Sequence, residues 1–311
     1  MSASRRLEAD LALVFNSFVW GSTFVVVKAA LADASPLVFL LLRFAIASAL
    51  LVALWGRRAR LREPAVLRAA LVVGFFLAAG YVFQTIGLQY TTPAKSAFIT
   101  ALSVPLVPVL LVALHRRAPG WAALAGVALA TVGAYFLTVP AGALAVSQGD
   151  FITFFCSIFF AAHIVAIGHY VPRHGIASVA VGQIGAGFVL LAAAVPFAFV
   201  TGVEAPRLVW NARLVFALVA TALFATALAF VLQTWAQQFT SPTHTAIIFS
   251  LEPVFAALTS YLVVGEVLGA RGLVGAGLIL AGVLVAEFRG GLAPGGQGSS
   301  AAANPGRPPT V

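Results

Sequence analysis

Acidic side chains are scarce in this chain. Nine Asp and Glu stand against eighteen Lys and Arg in 311 residues, and charged residues of both signs make up only 9%. Cysteine occurs once, at Cys156, which excludes an intramolecular disulfide, and its apolar neighbours Phe155 and Ile158 assign it to packing. No zinc-ligand spacing is present, nor Gly-x-Ser-x-Gly, His-Glu-x-x-His, a paired-aspartate metal site or a phosphate-cradling glycine loop. Catalytic residues, cofactors and metals are therefore not expected, and the chain does not read as an enzyme. Also missing are the segments of about ten residues, alternating polar and apolar, that mark the strands of a membrane barrel.

What the chain has in abundance is apolar sequence. Apolar residues make up 61% of it, and the mean hydropathy is +1.04. Both exceed what the core of a soluble domain of this size needs, so the solvent is lipid. Apolar runs of roughly 18 to 24 residues follow one another with short, charged connections between them, as in a polytopic helical bundle. About ten spans are expected, near residues 10–29, 36–55, 67–90, 94–114, 121–138, 150–170, 178–201, 212–237, 243–263 and 272–288. The fold class is an all-α membrane protein. The first span is too long for a removable signal peptide and lacks a small-residue cleavage site, so it is expected to remain as a helix.

One long stretch occurs twice. Residues 84–133 return as 233–282 at a constant offset of 149: Gln84-Thr85 as Gln233-Thr234, Gln89-Tyr90-Thr91-Thr92-Pro93 as Gln238-Phe239-Thr240-Ser241-Pro242, and Gly126 and Gly133 as Gly275 and Gly282. Five spans in each half is an odd number, so the second half enters the membrane from the opposite side. The expected organisation is a first five-helix repeat over 1–145, an inverted second repeat over 146–289, and a disordered cytoplasmic tail over 290–311, rich in Gly, Pro, Ala and Ser. Two similar but unequal halves that exchange conformations turn an outward-open cavity into an inward-open one. Gly126 and Gly133 lie seven residues apart on one helical face, as do Gly275 and Gly282. Their expected use is close packing of the fifth span on the tenth, with a glycine hinge as the alternative.

Arginine sets the orientation. With the N-terminus in the cytoplasm, Arg5, Arg6, Arg57, Arg58, Arg60, Arg62, Arg68, Arg116, Arg117, Arg173, Arg289 and Arg307 fall inside, whereas Lys28, Lys95, Arg207, Arg213 and Arg271 fall outside. Both termini are thus expected in the cytoplasm, and the net charge of +9 is a topology signal rather than a nucleic-acid footprint. The expected partners are a small-molecule substrate and the lipid bilayer, with no nucleic acid, and the chain is expected to act as a monomer.

Several segments carry a resemblance. Residues 16–28, with the core Trp20-Gly21-Ser22-Thr23-Phe24, resemble the first helix of EamA-type proteins in the drug/metabolite transporter superfamily. So do Leu42-Arg43-Phe44, the run Ser250-Leu251-Glu252-Pro253-Val254-Phe255-Ala256-Ala257-Leu258, and the following Gly265-Glu266 and Gly275. Within that superfamily the chain looks most like the YddG-type amino-acid exporters. The resemblance implies a ten-helix bundle around a central cavity in the bacterial inner membrane, expelling small metabolites. The small four-helix members rely on a glutamate in span 1. None stands there here, which argues against proton-coupled antiport of that kind.

Polar residues are costly in lipid, so their alignment on helical faces points to a cavity. Asn16, Trp20 and Thr23 share a face of span 1, and Cys156, Phe160 and His163 are their counterparts on span 6. Ser96, Thr100 and Ser103 on span 4 map to Thr245, Phe249 and Glu252 on span 9, while Tyr81 and Gln84 on span 3 map to Phe230 and Gln233 on span 8. The substrate cavity is expected to use Asn16, Trp20, Thr23, Phe24, Arg43, Tyr81, Phe83, Gln84, Thr100, Ser103, Phe160, His163, Gln233, Trp235, Phe249 and Glu252. Ordinary hydrogen bonding between helices is the competing reading for the Ser, Thr and Gln side chains. His163 reads as a cavity-lining group, a neutral packing residue or a proton carrier. Arg43, about 10 Å into span 2 by helical rise, pairs either with a substrate carboxylate or with a structural partner. Glu252, before Pro253, is a proton site or a helix-break residue, and Pro105 and Pro108 sit at a near-equivalent depth in span 4. The expected function is amino-acid export, with export of other drug-like metabolites as the alternative.

Overall fold

The computed structural model describes residues 3–115, 119–139, 147–264 and 269–290. The junction between the two halves, the tail beyond residue 290 and the Gly265-Glu266 pair lie outside these residues. The first half contains α1 (Ala3–Ala30), α2 (Pro36–Trp55), α3 (Pro64–Tyr90), α4 (Pro93–Ala101), α5 (Ser103–His115) and α6 (Trp121–Thr138). In the second are α7 (Gln148–His174), α8 (Ile176–Val200), α9 (Ala212–Ala222), a π-helical turn (Leu223–Leu228), α10 (Ala229–Ala236), α11 (Pro242–Phe249), α12 (Glu252–Val264) and α13 (Ala270–Gly290). Seven continuous or nearly continuous helices are long and apolar enough to cross a membrane, and Trp121–Leu137 and Ala270–Ala286 are shorter apolar helices. With α11 and α12 read as one interrupted span, the bundle has ten.

The two interruptions have one cause. A proline ring clashes with the carbonyl four residues earlier and offers no N–H to it. Pro105 acts in this way on Ala101, where α4 ends, and Pro253 acts on Phe249, where α11 ends. Equivalent spans in the two halves are therefore broken at the same depth. Helix starts recur as well: Pro93 and Pro242 occupy the first turns of α4 and α11, where a missing N–H costs nothing. Thr92 accepts a hydrogen bond from the Lys95 backbone N–H at 3.3 Å and Ser241 from that of His244 at 3.2 Å.

Packing follows the echo. α1 lies against α11 and α12 as α7 lies against α4 and α5, and α3 packs on α7 and α8 as α9 and α10 pack on α1 and α2. α6 and α13 cross in opposite directions. A Cβ on Gly126 would meet the Gly282 carbonyl oxygen at 2.8 Å, and one on Gly133 the Gly275 carbonyl oxygen at 2.6 Å. Pairing 126 with 282 and 133 with 275 requires the two helices to be antiparallel, as inversion of one half against the other demands.

Matched polar contacts close the ends. Lys95 Nζ stands 3.3 Å from Asp150 at the start of α7, and His244 Nε2 stands 3.1 Å from Asp10 near the start of α1. Lys95 and His244 are repeat-mates by the offset of 149. The loop between α1 and α2 is tied to α9 by a bidentate pair, Arg213 to Asp33 at 2.8 and 2.9 Å. The hydrogen bond from Arg213 holds the Asp33 carboxyl below its ordinary range. Glu204, in the loop after α8, accepts the Leu37 N–H at the start of α2 at 3.1 Å, and burial raises its carboxyl above the usual value.

Candidate functional site

One cavity sits between the halves, and its walls are repeat-mates. Trp20 lies opposite Phe160 in the repeat, Thr23 opposite His163, Phe24 opposite Ile164, Tyr81 opposite Phe230, Gln84 opposite Gln233, Thr100 opposite Phe249, and Ser103 opposite Glu252; all of them line it. The broken spans explain part of this, since Thr100 and Phe249 lie in the last turns of α4 and α11, while Ser103 and Glu252 begin α5 and α12. The aromatic lining repeats its contacts: Trp20 meets Phe230 at 5.3 Å, and Phe160 meets Tyr81 at 5.4 Å.

A polar node fixes the Trp20 wall. The indole Nε1 donates to the Ala225 carbonyl at 2.9 Å, and Arg43 Nη2 donates to the same oxygen at 3.2 Å and to the Tyr81 hydroxyl at 3.0 Å. Arg43 Nε donates to Thr226 Oγ1 at 2.6 Å. Three helices, α1, α2 and α3, thus converge on the π-helical turn. Such turns often mark functional sites, and this one presents Ala225 and Thr226 to donors from three neighbours. Arg43 is only 3% exposed; it is held in place rather than snorkelling to the interface.

The other polar groups are also oriented. Gln84 Nε2 donates to Thr100 Oγ1 at 3.0 Å. Gln233 Nε2 donates to Gln237 Oε1 at 3.0 Å, and Gln233 Oε1 is buried with no partner. His163 Nε2 lies 2.7 Å from Gln183 Oε1, and Gln183 Nε2 donates to Thr234 Oγ1 at 3.0 Å, so the ring is fixed by a chain reaching α10.

Three expected lining residues lie elsewhere. Asn16, buried at 0% exposure, donates Nδ2 to the Ala229 carbonyl at 2.8 Å; it shares Trp20's face but sits one turn nearer the N-terminus, where α1 is sealed. Phe83 stacks on Phe159 of α7 at 5.4 Å, and Trp235 packs on Phe239 at 5.3 Å. Each is adjacent or nearly adjacent in sequence to a lining glutamine, and 100° of rotation per residue turns it away from the cavity. The cavity also uses Val27, Thr85, Leu88, Ala101, Ile164 and Phe230. Of these Phe230 had a sequence signal as the repeat-mate of Tyr81, and Thr85 as part of the repeated Gln-Thr pair.

The cavity is lopsided. Val27, Thr85 and Leu88 carry it toward the membrane face away from the N-terminus. Their repeat-mates Ile167, Thr234 and Gln237 do not line it, and Gln237 Nε2 donates to the Ile164 carbonyl at 2.9 Å. About 70 Å³ of the cavity is free, room for a few waters or a small polar solute.

Comparison with known proteins gives a consistent result. The sequence profile of the EamA-like transporter family matches residues 7–139 and again residues 147–288. An uncharacterized transporter of Archaeoglobus fulgidus is 36% identical over 288 residues, covering 92% of this chain and 87% of the relative. A protein of known crystal structure superposes with a TM-score of 0.73 at 19% identity, over 93% of this chain and 98% of the other, which shows a shared fold.

Proposed function

We propose, from the premise that this chain belongs to the EamA-like transporter family, that it exports amino acids, aromatic and other neutral ones, across the bacterial inner membrane. Membrane transport is the family's activity. The finer reading rests on one observation: a cavity at the seam of two inverted halves, walled by aromatic rings and furnished with a few oriented amides and hydroxyls and with Arg43, His163 and Glu252. Few polar anchors among apolar walls suit a small amphiphile and loose selectivity. The resemblance to YddG-type exporters supports the same class.

Alternating access follows from the lopsided cavity. Exchange of the two halves' conformations exposes Ile167, Thr234 and Gln237 and closes the path beside Val27, Thr85 and Leu88. Movement is substrate-driven, and the protein acts as a monomer with both termini in the cytoplasm. The experiment is uptake of labelled L-threonine and L-phenylalanine into proteoliposomes, with and without a pH gradient. Saturable uptake that ignores the gradient is expected. Gradient stimulation lost in His163→Ala overturns the uncoupled reading, and transport of organic dyes but of neither amino acid moves the substrate to the drug-like class.

A further inference from the structure

The cavity contains two ionisable side chains whose hydrogen-bonding capacity is unfinished. Arg43 uses Nε and Nη2 on Thr226, Tyr81 and Ala225, whereas Nη1 has no hydrogen-bond partner among the described residues. The side chain is 3% exposed, so water does not satisfy the remaining donors over a broad surface. Glu252, at the first position of α12, lines the same cavity, and neither carboxylate oxygen has a hydrogen bond or ion pair among the described residues. Its position is fixed from behind. A Cβ on Gly21 would stand 2.5 Å from the Glu252 carbonyl oxygen, so the bare glycine lets α1 carry Trp20 up to the break where Glu252 begins.

The two groups share a neighbourhood without pairing with each other. Arg43 covers the Tyr81 ring, its guanidinium carbon 4.4 Å from the ring centroid, and both line the cavity together with Glu252. A carboxylate and a guanidinium left unpaired in a membrane interior are costly unless something supplies the opposite charges. His163, a further titratable lining side chain, is already engaged by Gln183.

We infer that Arg43 Nη1 and the Glu252 carboxylate form the two ends of a zwitterion clamp, Arg43 receiving the α-carboxylate and Glu252 the α-ammonium of a free amino acid. The clamp rests on the amino-acid reading given above and sharpens it: the substrate must carry both charges on adjacent carbons, while its side chain projects among Trp20, Phe230 and Phe249. Trp20 and Phe249 are 4.9 Å apart and Trp20 and Phe230 5.3 Å apart, an aromatic corner that accepts varied side chains. Peptides blocked at either end, simple amines and simple acids each leave one charge of the clamp buried and unmatched.

The test is competition against uptake of labelled L-threonine in proteoliposomes by N-acetyl-L-threonine, which lacks the ammonium, and by L-threonine methyl ester, which lacks the carboxylate. Each derivative is expected to compete at least about tenfold more weakly than threonine, because a site built for a charged hydrogen-bonding group rejects analogues without it. In Glu252→Gln the handicap of the N-acetyl derivative is expected to vanish while that of the methyl ester persists, and Arg43→Gln should show the opposite pattern. The competition in the wild-type protein stands even if a variant fails to fold. Threonine uptake against which both derivatives compete as strongly as threonine itself overturns the clamp and leaves amino-acid export intact. Absence of uptake for threonine and for phenylalanine in the wild-type protein overturns the export reading and the clamp together.

Discussion

Gly133→Val is expected to lower the thermal stability of the purified protein sharply while leaving the transport rate per folded molecule close to normal. The first added carbon would stand 2.6 Å from the Gly275 carbonyl oxygen and 2.7 Å from the Ile279 nitrogen. Both are backbone atoms of α13, and neither has a rotamer with which to retreat. Overpacking of a tight contact costs about 1–3 kcal/mol, and the two branches of valine place the effect at the upper end of that range. Gly277 supplies the control within the same helix. A Cβ there meets nothing within 4 Å, so Gly277→Ala is expected to be neutral or to stabilise by up to about 1 kcal/mol through helix propensity. Thermal unfolding in detergent together with transport normalised to folded protein separates the two roles of the glycine seam. A variant of normal stability but slow transport makes the seam a hinge instead of a packed contact.

Trp20→Ala is expected to reduce amino-acid transport at subsaturating substrate by about tenfold or more, equivalent to at least about 1.4 kcal/mol, with the protein still folded. The indole forms a wall against Phe230 and Phe249 and ties α1 to the π-helical turn through Ala225. Its removal widens the cavity and frees a carbonyl that Arg43 and Tyr81 also use. Gln84→Ala acts on the opposite wall. It removes the donor to Thr100 at 3.0 Å and one oriented amide from the lining, so a smaller loss of the same sign is expected. Initial uptake rates in proteoliposomes, with size-exclusion profiles as the folding check, decide both; unchanged rates would remove these side chains from the transport path.

Much of this arrangement was legible in the sequence because the repeat is covalent and the prolines are local. The offset of 149 matches Tyr81, Gln84, Thr100 and Ser103 to Phe230, Gln233, Phe249 and Glu252, all of which line the cavity, and Pro105 and Pro253 each follow a break by one turn. Helical faces were less informative than they looked. Asn16 shares a face with Trp20, yet a face does not say where along the helix a cavity ends, and Asn16 falls in the sealed part at 0% exposure. Phe83 and Trp235 were expected to line the cavity with their rings, yet they stand one and two residues from a lining glutamine, and neighbouring helical residues point in different directions. Nothing in the sequence marked Leu223–Leu228 as a π-helical turn. That turn depends on donors from Trp20, Arg43 and Tyr81, which lie far away in the chain and become neighbours only after packing. Val27, Leu88 and Ile164 were invisible for a simpler reason: an apolar side chain facing a cavity reads like one facing lipid.

Site-directed labelling tests the opposed orientation of the halves most directly. Tyr90, the last residue of α3, and Gln238, in the turn after the equivalent α10, are both exposed, and the single native cysteine, Cys156, is fully buried and gives little background. With Tyr90→Cys and Gln238→Cys expressed separately in intact cells, a membrane-impermeant maleimide should label the first and spare the second until the membrane is opened. Equal labelling of both from the same side would contradict the inverted architecture, and with it the cavity exchange on which transport is built.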